Sequence, residues 1–410
     1  MNDYKIEILD PGDAASRLAK EINVASYSNC PAVTIIPHQP DNFRGPVGYL
    51  WDPGILKAMA KGAKTDPGNG RVISWDIMEE VENDGAGGKP QFFSLIGTPE
   101  IFYNLGWEII TMTADDLARS GRLPCIMVNE LQAKKITGKN FHLVKSMFRG
   151  YGDALRQSNL VNITGEIAIM KHSITAFCDI QSDEQLLVTW GGTCIGLARK
   201  NLLLDPKNIK PNMPVVGFLE KGYRCNGGTF FTNLILRKWG TNIINIINDP
   251  DCRKFVEKLT VPSISYAKTI CRLIGWHSSG FIDPPQAKIA GIAHITGGGV
   301  WGKFGEMLPS GIGANLYNMP KPPEILQEAQ DLSREFPDPL SDYDAYSTLH
   351  GGCGMLIVAL DYQSADMIID EAHRDGIEAM VVGITNDTGA LTIESRFRNY
   401  GEKLVRRKED

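Results

Sequence analysis

Residues Ala290-Gly-Ile-Ala-His-Ile-Thr-Gly-Gly-Gly299 run from an apolar stretch straight into a triple glycine. The pattern predicts a strand over Ile289–Ile295 that leaves its sheet at the glycines. Three successive glycines take positive φ freely and let backbone N–H groups approach an anion closely. Thr296 adds a hydroxyl donor and His294 an imidazole at the same turn. Taken alone, a triple glycine is more often a tight turn, here over a buried histidine. Two further polar glycine segments weigh against that simpler reading. Gly222-Tyr-Arg-Cys-Asn-Gly-Gly-Thr229 leads into a helical stretch over Thr232–Trp239. A helix N-terminus with free amides suits phosphate, and Arg224 can pair with the same anion in bidentate fashion. His350-Gly-Gly-Cys-Gly354 bends ahead of the apolar run Met355–Leu360.

Around these turns the second half alternates strand and helix. Strands are expected at Pro214–Phe218, Met355–Leu360, Ala379–Ile384 and Ala390–Glu394. A helix from Ser364 to His373 has Ser364 as its N-cap and stops at Gly376. In the first half, Gln91–Ile96, Trp107–Met112, Leu123–Val128, Leu160–Ile163 and Leu186–Trp190 read as strands. Thr113–Gly121 reads as a short helix. Val144, Phe148, Tyr151 and Leu155 mark one face of another. The first ninety residues are broken by Pro31, Pro37, Pro40, Pro46 and Pro53 with Gly45, Gly48 and Gly54. There Arg71–Trp75 is expected as a strand and Asn83-Asp-Gly-Ala-Gly-Gly-Lys89 as an exposed loop without chemistry. The expected class is α/β of the α+β type, with mixed sheets and helices on one face. The expected organisation is an N-terminal extension (1–90), a first domain (91–204) and a second domain (205–410), parted at the polar, proline-broken Leu204–Met213.

Composition narrows the functional classes. The chain has 410 residues, 43% hydrophobic and 22% charged, with a formal net charge of -6. The acidic balance argues against nucleic acid as the main partner. No apolar run reaches the ~18 residues of a membrane span. The opening MNDYKIEILDPGD lacks a signal-peptide pattern, so a cytoplasmic protein with no membrane partner is expected. Its eight cysteines contain no Cys-x-x-Cys pair and read as reduced, buried small hydrophobes. Candidate carboxylates are Asp115-Asp116, at a short helix, and Glu166, in Asn162-Ile-Thr-Gly-Glu-Ile-Ala168. A few carboxylates plus substrate phosphates are what Mg²⁺ favours.

The order of these motifs resembles the aminoimidazole ribonucleotide synthetase (phosphoribosylformylglycinamidine cyclo-ligase) family. The histidine–glycine stretch 290–299 carries the resemblance, with Leu308-Pro309 and Pro322-Pro-Glu-Ile325 after it. Tyr346-Ser-Thr-Leu-His-Gly-Gly-Cys-Gly-Met355 is similar to that family's Tyr-Arg-Thr-Phe-Asn-x-Gly-x-Gly-Met. Ile209–Gly217 resembles the strand opening its second domain. Gly222, Asn226 and Gly227 match its Gly-Pro-His-Ser-Asn-Gly loop. Gly165-Glu166 stands where its Gly-Gly-Glu-Thr-Ala belongs, and Asp116-Leu117 where its Asn-Asp-Leu does.

The resemblance implies a two-domain synthetase-like fold, a homodimer joined through the N-terminal sheets, ATP with Mg²⁺, and a small ribonucleotide substrate. It implies that the formyl oxygen of a formylglycinamidine ribonucleotide is phosphorylated before the imidazole ring closes. Asp116 and Glu166 would hold Mg²⁺-ATP, with Gly165 beside them. Asn226 and Gly227 would lie near the reacting group, and His294, Thr296, Gly297, Gly298 and Gly299 would line the phosphate side. Arg224 replaces the family's loop histidine and His350 its asparagine. The family's Asp-Gly-Val-Gly-Thr-Lys stretch reads as absent: Gly97–Asn104 stands near its expected place, where Glu100 could supply the metal carboxylate and nothing replaces the lysine. These departures leave two alternatives beside the cyclo-ligase. One is a family member that binds nucleotide or phosphate without turnover; the other is a different ATP-dependent phosphoryl-transfer enzyme of the same superfamily.

Overall fold

The computed structural model describes residues 10–36, 46 and 48–407. Pro37, Pro40, Gly45 and the first nine residues of the opening stretch lie outside them. Two mixed sheets organise the chain. The first has four strands in the order Ile77–Gly85, Val188–Arg199, Arg122–Ala133 and Val161–Ile169. Its first three strands are antiparallel, and the last pairs in parallel with Arg122–Ala133. The second has seven strands in the order Ile289–His294, Cys353–Ala359, Pro214–Leu219, Ala379–Asn386, Gly313–Leu316, Ala390–Glu394 and Lys403–Arg407. Residues 200–213 connect the two.

One face of the four-stranded sheet is covered by the helices Pro99–Ala118 and Phe141–Gln157. These cross at glycines: a Cβ on Gly106 would lie 2.3 Å from the Tyr151 amide nitrogen, and one on Gly150 would lie 1.9 Å from the Tyr103 carbonyl oxygen. On the other face, a hairpin of Val33–Ile36 and Gly48–Trp51 reaches the edge strand, where Tyr49 and Trp51 donate to the Glu79 carboxylate at 3.1 and 2.6 Å. The rest of that face is open, and Val81 is 56% exposed.

Two of the expected strands are helical. Gln91–Ile96 falls in the helix Pro90–Ile96, and Trp107–Met112 lies inside Pro99–Ala118 together with most of the expected Thr113–Gly121 helix. The long helix is buried nearly all round between the sheet and the helix Ala267–Ile274, so it carries no polar stripe to betray a 3.6-residue period. The Tyr362–Arg374 helix is capped by Asp361, which accepts the Ser364 N–H at 2.7 Å. The Ser364 hydroxyl instead accepts the Lys288 N–H. Asn83–Lys89 is not an exposed loop either: Asn83, Asp84 and Gly85 end an edge strand, and Lys89 is fully buried. Among the described residues no helix is long and apolar enough to cross a membrane.

Candidate functional site

The last turns of the Pro99–Ala118 helix deliver Asp115 and Asp116 to the junction between the two sheets. Asp115 is fully buried, and its Oδ1 accepts the N–H groups of Tyr266 and Ala267 at 2.8 Å each, capping the next helix. Its Oδ2 accepts from Arg224 Nη2 at 3.0 Å. Arg224 also donates through Nη1 to Glu220 Oε2 at 2.6 Å and to the Ile264 carbonyl at 2.9 Å, and stacks on the Tyr266 ring. Burial disfavours the guanidinium's charge, but Glu220, Tyr266 and Asp115 outweigh it and hold the proton more firmly than usual. Burial pushes the Asp115 carboxyl up, while Arg224 and the two amides pull it back. Each hydrogen-bond partner of that carboxylate among the described residues is a donor, so the pocket fits its ionised form.

His294 ends the strand Ile289–His294 and joins this network from the opposite side. Its Nε2 lies 2.8 Å from Arg224 Nη2 and its Nδ1 lies 2.9 Å from Asp116 Oδ1. Burial drives the imidazole down to about 4, against the opposing pull of Asp116. Asp116 would itself be raised by burial, but the bonds from His294 and Arg119 hold it below the usual carboxylate range. Both bonds fall on Oδ1, and the side chain is 19% exposed. Asp84, at the end of the strand Ile77–Gly85, is raised chiefly by burial and also by the charge of Asp116, while the Gly85 N–H, and after it Lys303 and Arg224, oppose the rise. Two carboxylates therefore share one electrostatic neighbourhood at the open end of a buried network.

The glycine loops close around it. Gly227 caps the helix Gly228–Trp239 with φ 93° and no side-chain bond, leaving the first amides of that helix unpaired. The Asn226 Oδ1 lies 3.3 Å from where a Cβ on Gly297 would stand, so the two motifs touch. The Tyr223 hydroxyl is buried without a partner, 2.9 Å from the corresponding position on Gly228. His350 is structural: it faces the Gly222 carbonyl through Nε2 at 2.8 Å, and its Nδ1 accepts the Gly352 N–H at 3.2 Å.

The structure thus brings Asp116, Arg224, Asn226, Gly227, His294, Thr296, Gly297, Gly298 and Gly299 to one place. It does not bring Glu166 or Glu100 there. Along Val161–Ile169 side chains alternate. A Cβ on Gly165 would face Asn129, whose amide bonds Tyr151 on the helix side, so Glu166 points to the open face. There it is in register with Glu130 and lines a depression of about 530 Å³ with Asn83, Thr164 and Thr193. Glu100 is exposed in the first turn of the helix that ends near Asp116, roughly 24 Å away at 1.5 Å per residue.

Arg224 is 1% exposed, and its terminal donors are spent within the protein, so it offers nothing to an incoming anion. Asp84 went unrecognised in the sequence, as did Lys89. Asp84-Gly-Ala-Gly-Gly-Lys89 repeats the Asp-Gly-x-Gly-x-Lys pattern upstream of Gly97–Asn104, and that spacing is the signal that identifies it. Lys89 Nζ is enclosed by Glu108 Oε1 at 2.8 Å, the carbonyls of Tyr223 and Val261 at 2.6 and 2.8 Å, and Ser263 Oγ at 3.3 Å. Among the described residues no three His, Cys, Asp or Glu side chains are placed to hold a metal by themselves. The Asp84–Asp116 pair fits Mg²⁺ delivered with phosphates, which needs only one or two protein carboxylates.

Fold and site define a two-domain α/β protein whose glycine-rich loops and carboxylate pair meet between its sheets. The family models described as the N-terminal and C-terminal domains of AIR synthase related protein match residues 78–198 and 280–395. The chain belongs to that family, as a divergent member. It is 28% identical to a phosphoribosylformylglycinamidine cyclo-ligase of Thermococcus kodakarensis over 55% of this chain and 58% of that enzyme. It is 24% identical to the protein of the same name from Methanococcus maripaludis strain C5, over 70% of this chain and 73% of that one. In fold it is similar to the hydrogenase maturation protein HypE of E. coli, with a TM-score of 0.54 at 16% identity over 95% of this chain and 96% of that one.

Proposed function

We propose that the protein is an ATP- and Mg²⁺-dependent cyclo-ligase that closes the imidazole ring of formylglycinamidine ribonucleotide. The observation that carries this reading is the meeting of the Asn226–Gly228 and Thr296–Gly299 loops next to Asp116, which His294 holds from the strand that enters the triple glycine, with Asp84 close enough to feel the Asp116 charge. In this reaction the formyl oxygen takes the terminal phosphoryl group of ATP and ADP leaves. An amidine nitrogen then attacks the activated carbon, and inorganic phosphate departs with that oxygen. Little covalent chemistry is asked of the protein, so positioning and charge stabilisation dominate. Asn226, Thr296 and the amides of Gly228, Gly297 and Gly298 bind the anionic groups. His294, held neutral, fixes the Asp116 carboxylate toward the opening. Mg²⁺, when bound, neutralises phosphoryl charge next to Asp84 and Asp116.

The first domain ends and the second begins within residues 200–213, and two copies associate through the open face around Val81 and Ile195. One feature favours a second reading, a different phosphoryl acceptor in the same superfamily. Arg224 replaces the family's loop histidine, and both ring nitrogens of His294 are already occupied, so among the described residues no acid–base histidine is free at the site. Incubation with ATP, Mg²⁺ and formylglycinamidine ribonucleotide, followed for ADP and the aminoimidazole product, separates the readings. Both products support the cyclo-ligase. ATP binding without ring closure favours the second reading, and absence of ATP binding overturns both.

A further inference from the structure

A phosphoryl-transfer site needs a cation that can reach the terminal phosphate. Two obvious ones are locked: Lys89 has no exposed surface and is enclosed by four acceptors, and Arg224 is consumed by Glu220, Asp115 and the Ile264 carbonyl. Arg119 is paired with Asp116. We propose that Lys303 binds the terminal phosphate of the nucleoside triphosphate in this chain, an assignment that rests on the phosphoryl-transfer reading above.

Lys303 sits on a π-helical turn, Val300–Phe304, that begins directly after the triple glycine. Such turns are rare and concentrate at functional sites. The start of this one is pinned twice. Gly299, with φ 59°, packs so tightly that a Cβ there would lie 2.1 Å from the Tyr346 carbonyl oxygen. Trp301 stacks on Tyr343 at 4.8 Å and donates its indole N–H to the Tyr343 carbonyl at 2.9 Å. Val300, Trp301 and Phe304 face the core, which turns Lys303 to solvent on a fixed backbone. Lys303 is exposed four residues beyond Gly299, and it makes no hydrogen bond or ion pair with a described residue. An exposed ammonium on a pinned turn that opens from the triple glycine is free to close on a phosphate held by that loop. A lysine acts there as a flexible point charge, the usual manner of phosphate-binding lysines.

The test is calorimetric titration of the full chain with Mg²⁺-ATP and, separately, with adenosine. Lys303→Met is expected to weaken ATP binding by about tenfold or more while leaving adenosine unchanged, and Lys303→Arg to retain most of the affinity. Lys57→Met, which removes the same charge from the helix Pro53–Gly62, should change neither. ATP affinity unaltered in Lys303→Met, or weakened equally by Lys57→Met, overturns the assignment and leaves the phosphoryl-transfer reading standing. An unaltered protein that binds no ATP overturns that reading and this assignment with it.

Discussion

The Nε2 of His294 lies 2.8 Å from the Nη2 of Arg224, and a guanidinium has no acceptor, so that imidazole nitrogen must accept. The ring proton therefore sits on Nδ1 and is donated to Asp116. His294 and His350 are both driven down to about 4, chiefly by burial. In the unfolded chain each takes up its proton near the ordinary value of about 6.5, so the unfolded state binds more protons across the interval between. The stability these neutral histidines contribute is full above about pH 6.5 and is lost progressively as pH falls toward 4. Urea midpoints measured across that window should decline, and the decline should be shallower in His350→Gln. A decline equally steep in His350→Gln and the unaltered protein would contradict the buried neutral assignment of His350.

Lys89 and Glu108 form an ion pair with no exposure on either side chain, and it joins the first unit to the loops at Tyr223 and Val261–Ser263. Removing one partner strands a charge that has already lost its water. Lys89→Met should cost about 3–5 kcal/mol in denaturant unfolding. The double variant Lys89→Met/Glu108→Leu should recover part of that loss, because an uncharged pair leaves no ion unsatisfied. If the single and double variants are equally destabilised, the loss lies in packing and not in the stranded carboxylate.

Much of the second sheet was legible because its strands are short apolar runs bounded by glycine and proline, as at Pro214–Leu219 and Ala390–Glu394. The Pro99–Ala118 helix was not, because a helix buried on all sides has the composition of a core strand. The His294 and Asn226 loops were legible from glycine spacing and their likeness to a known family. Asp84 was not, because Asp84-Gly-Ala-Gly-Gly-Lys89 has the composition of a surface turn, and only the fold shows its lysine enclosed and its aspartate beside Asp116. Glu166 illustrates the reverse error. A carboxylate at the right place in a motif still projects to the wrong face when its strand position has the other parity.

The crossing of the Pro99–Ala118 and Phe141–Gln157 helices depends on two bare backbones. Gly150→Ala would set a methyl 1.9 Å from the Tyr103 carbonyl oxygen, and backbone atoms cannot turn aside as a flexible side chain can. The helices must separate, at a cost of about 1–3 kcal/mol or more, despite alanine's better helix propensity. A control at Gly138, where nothing lies within 4 Å of an added Cβ, should leave the thermal midpoint nearly unchanged. Equal midpoints for the two variants would contradict the close approach.

The placement of the carboxylates makes opposite forecasts for residues that the motif order groups together. Asp116→Asn removes a charge that raises Asp84 and that His294 and Arg119 both hold in place. It should weaken Mg²⁺-dependent ATP binding by about tenfold or more, the effect expected when a charged ligand to the ion is lost. Glu166→Gln acts on the open face, where Glu166 stands in register with Glu130 on the neighbouring strand. Relieving two like charges held side by side should raise the unfolding midpoint modestly and leave the ATP affinity of the subunit intact. Titrations of both variants with ATP, with and without Mg²⁺, decide between strand parity and motif position. If Glu166→Gln loses Mg²⁺-dependent binding while Asp116→Asn keeps it, the carboxylate pair proposed for the site is the wrong one.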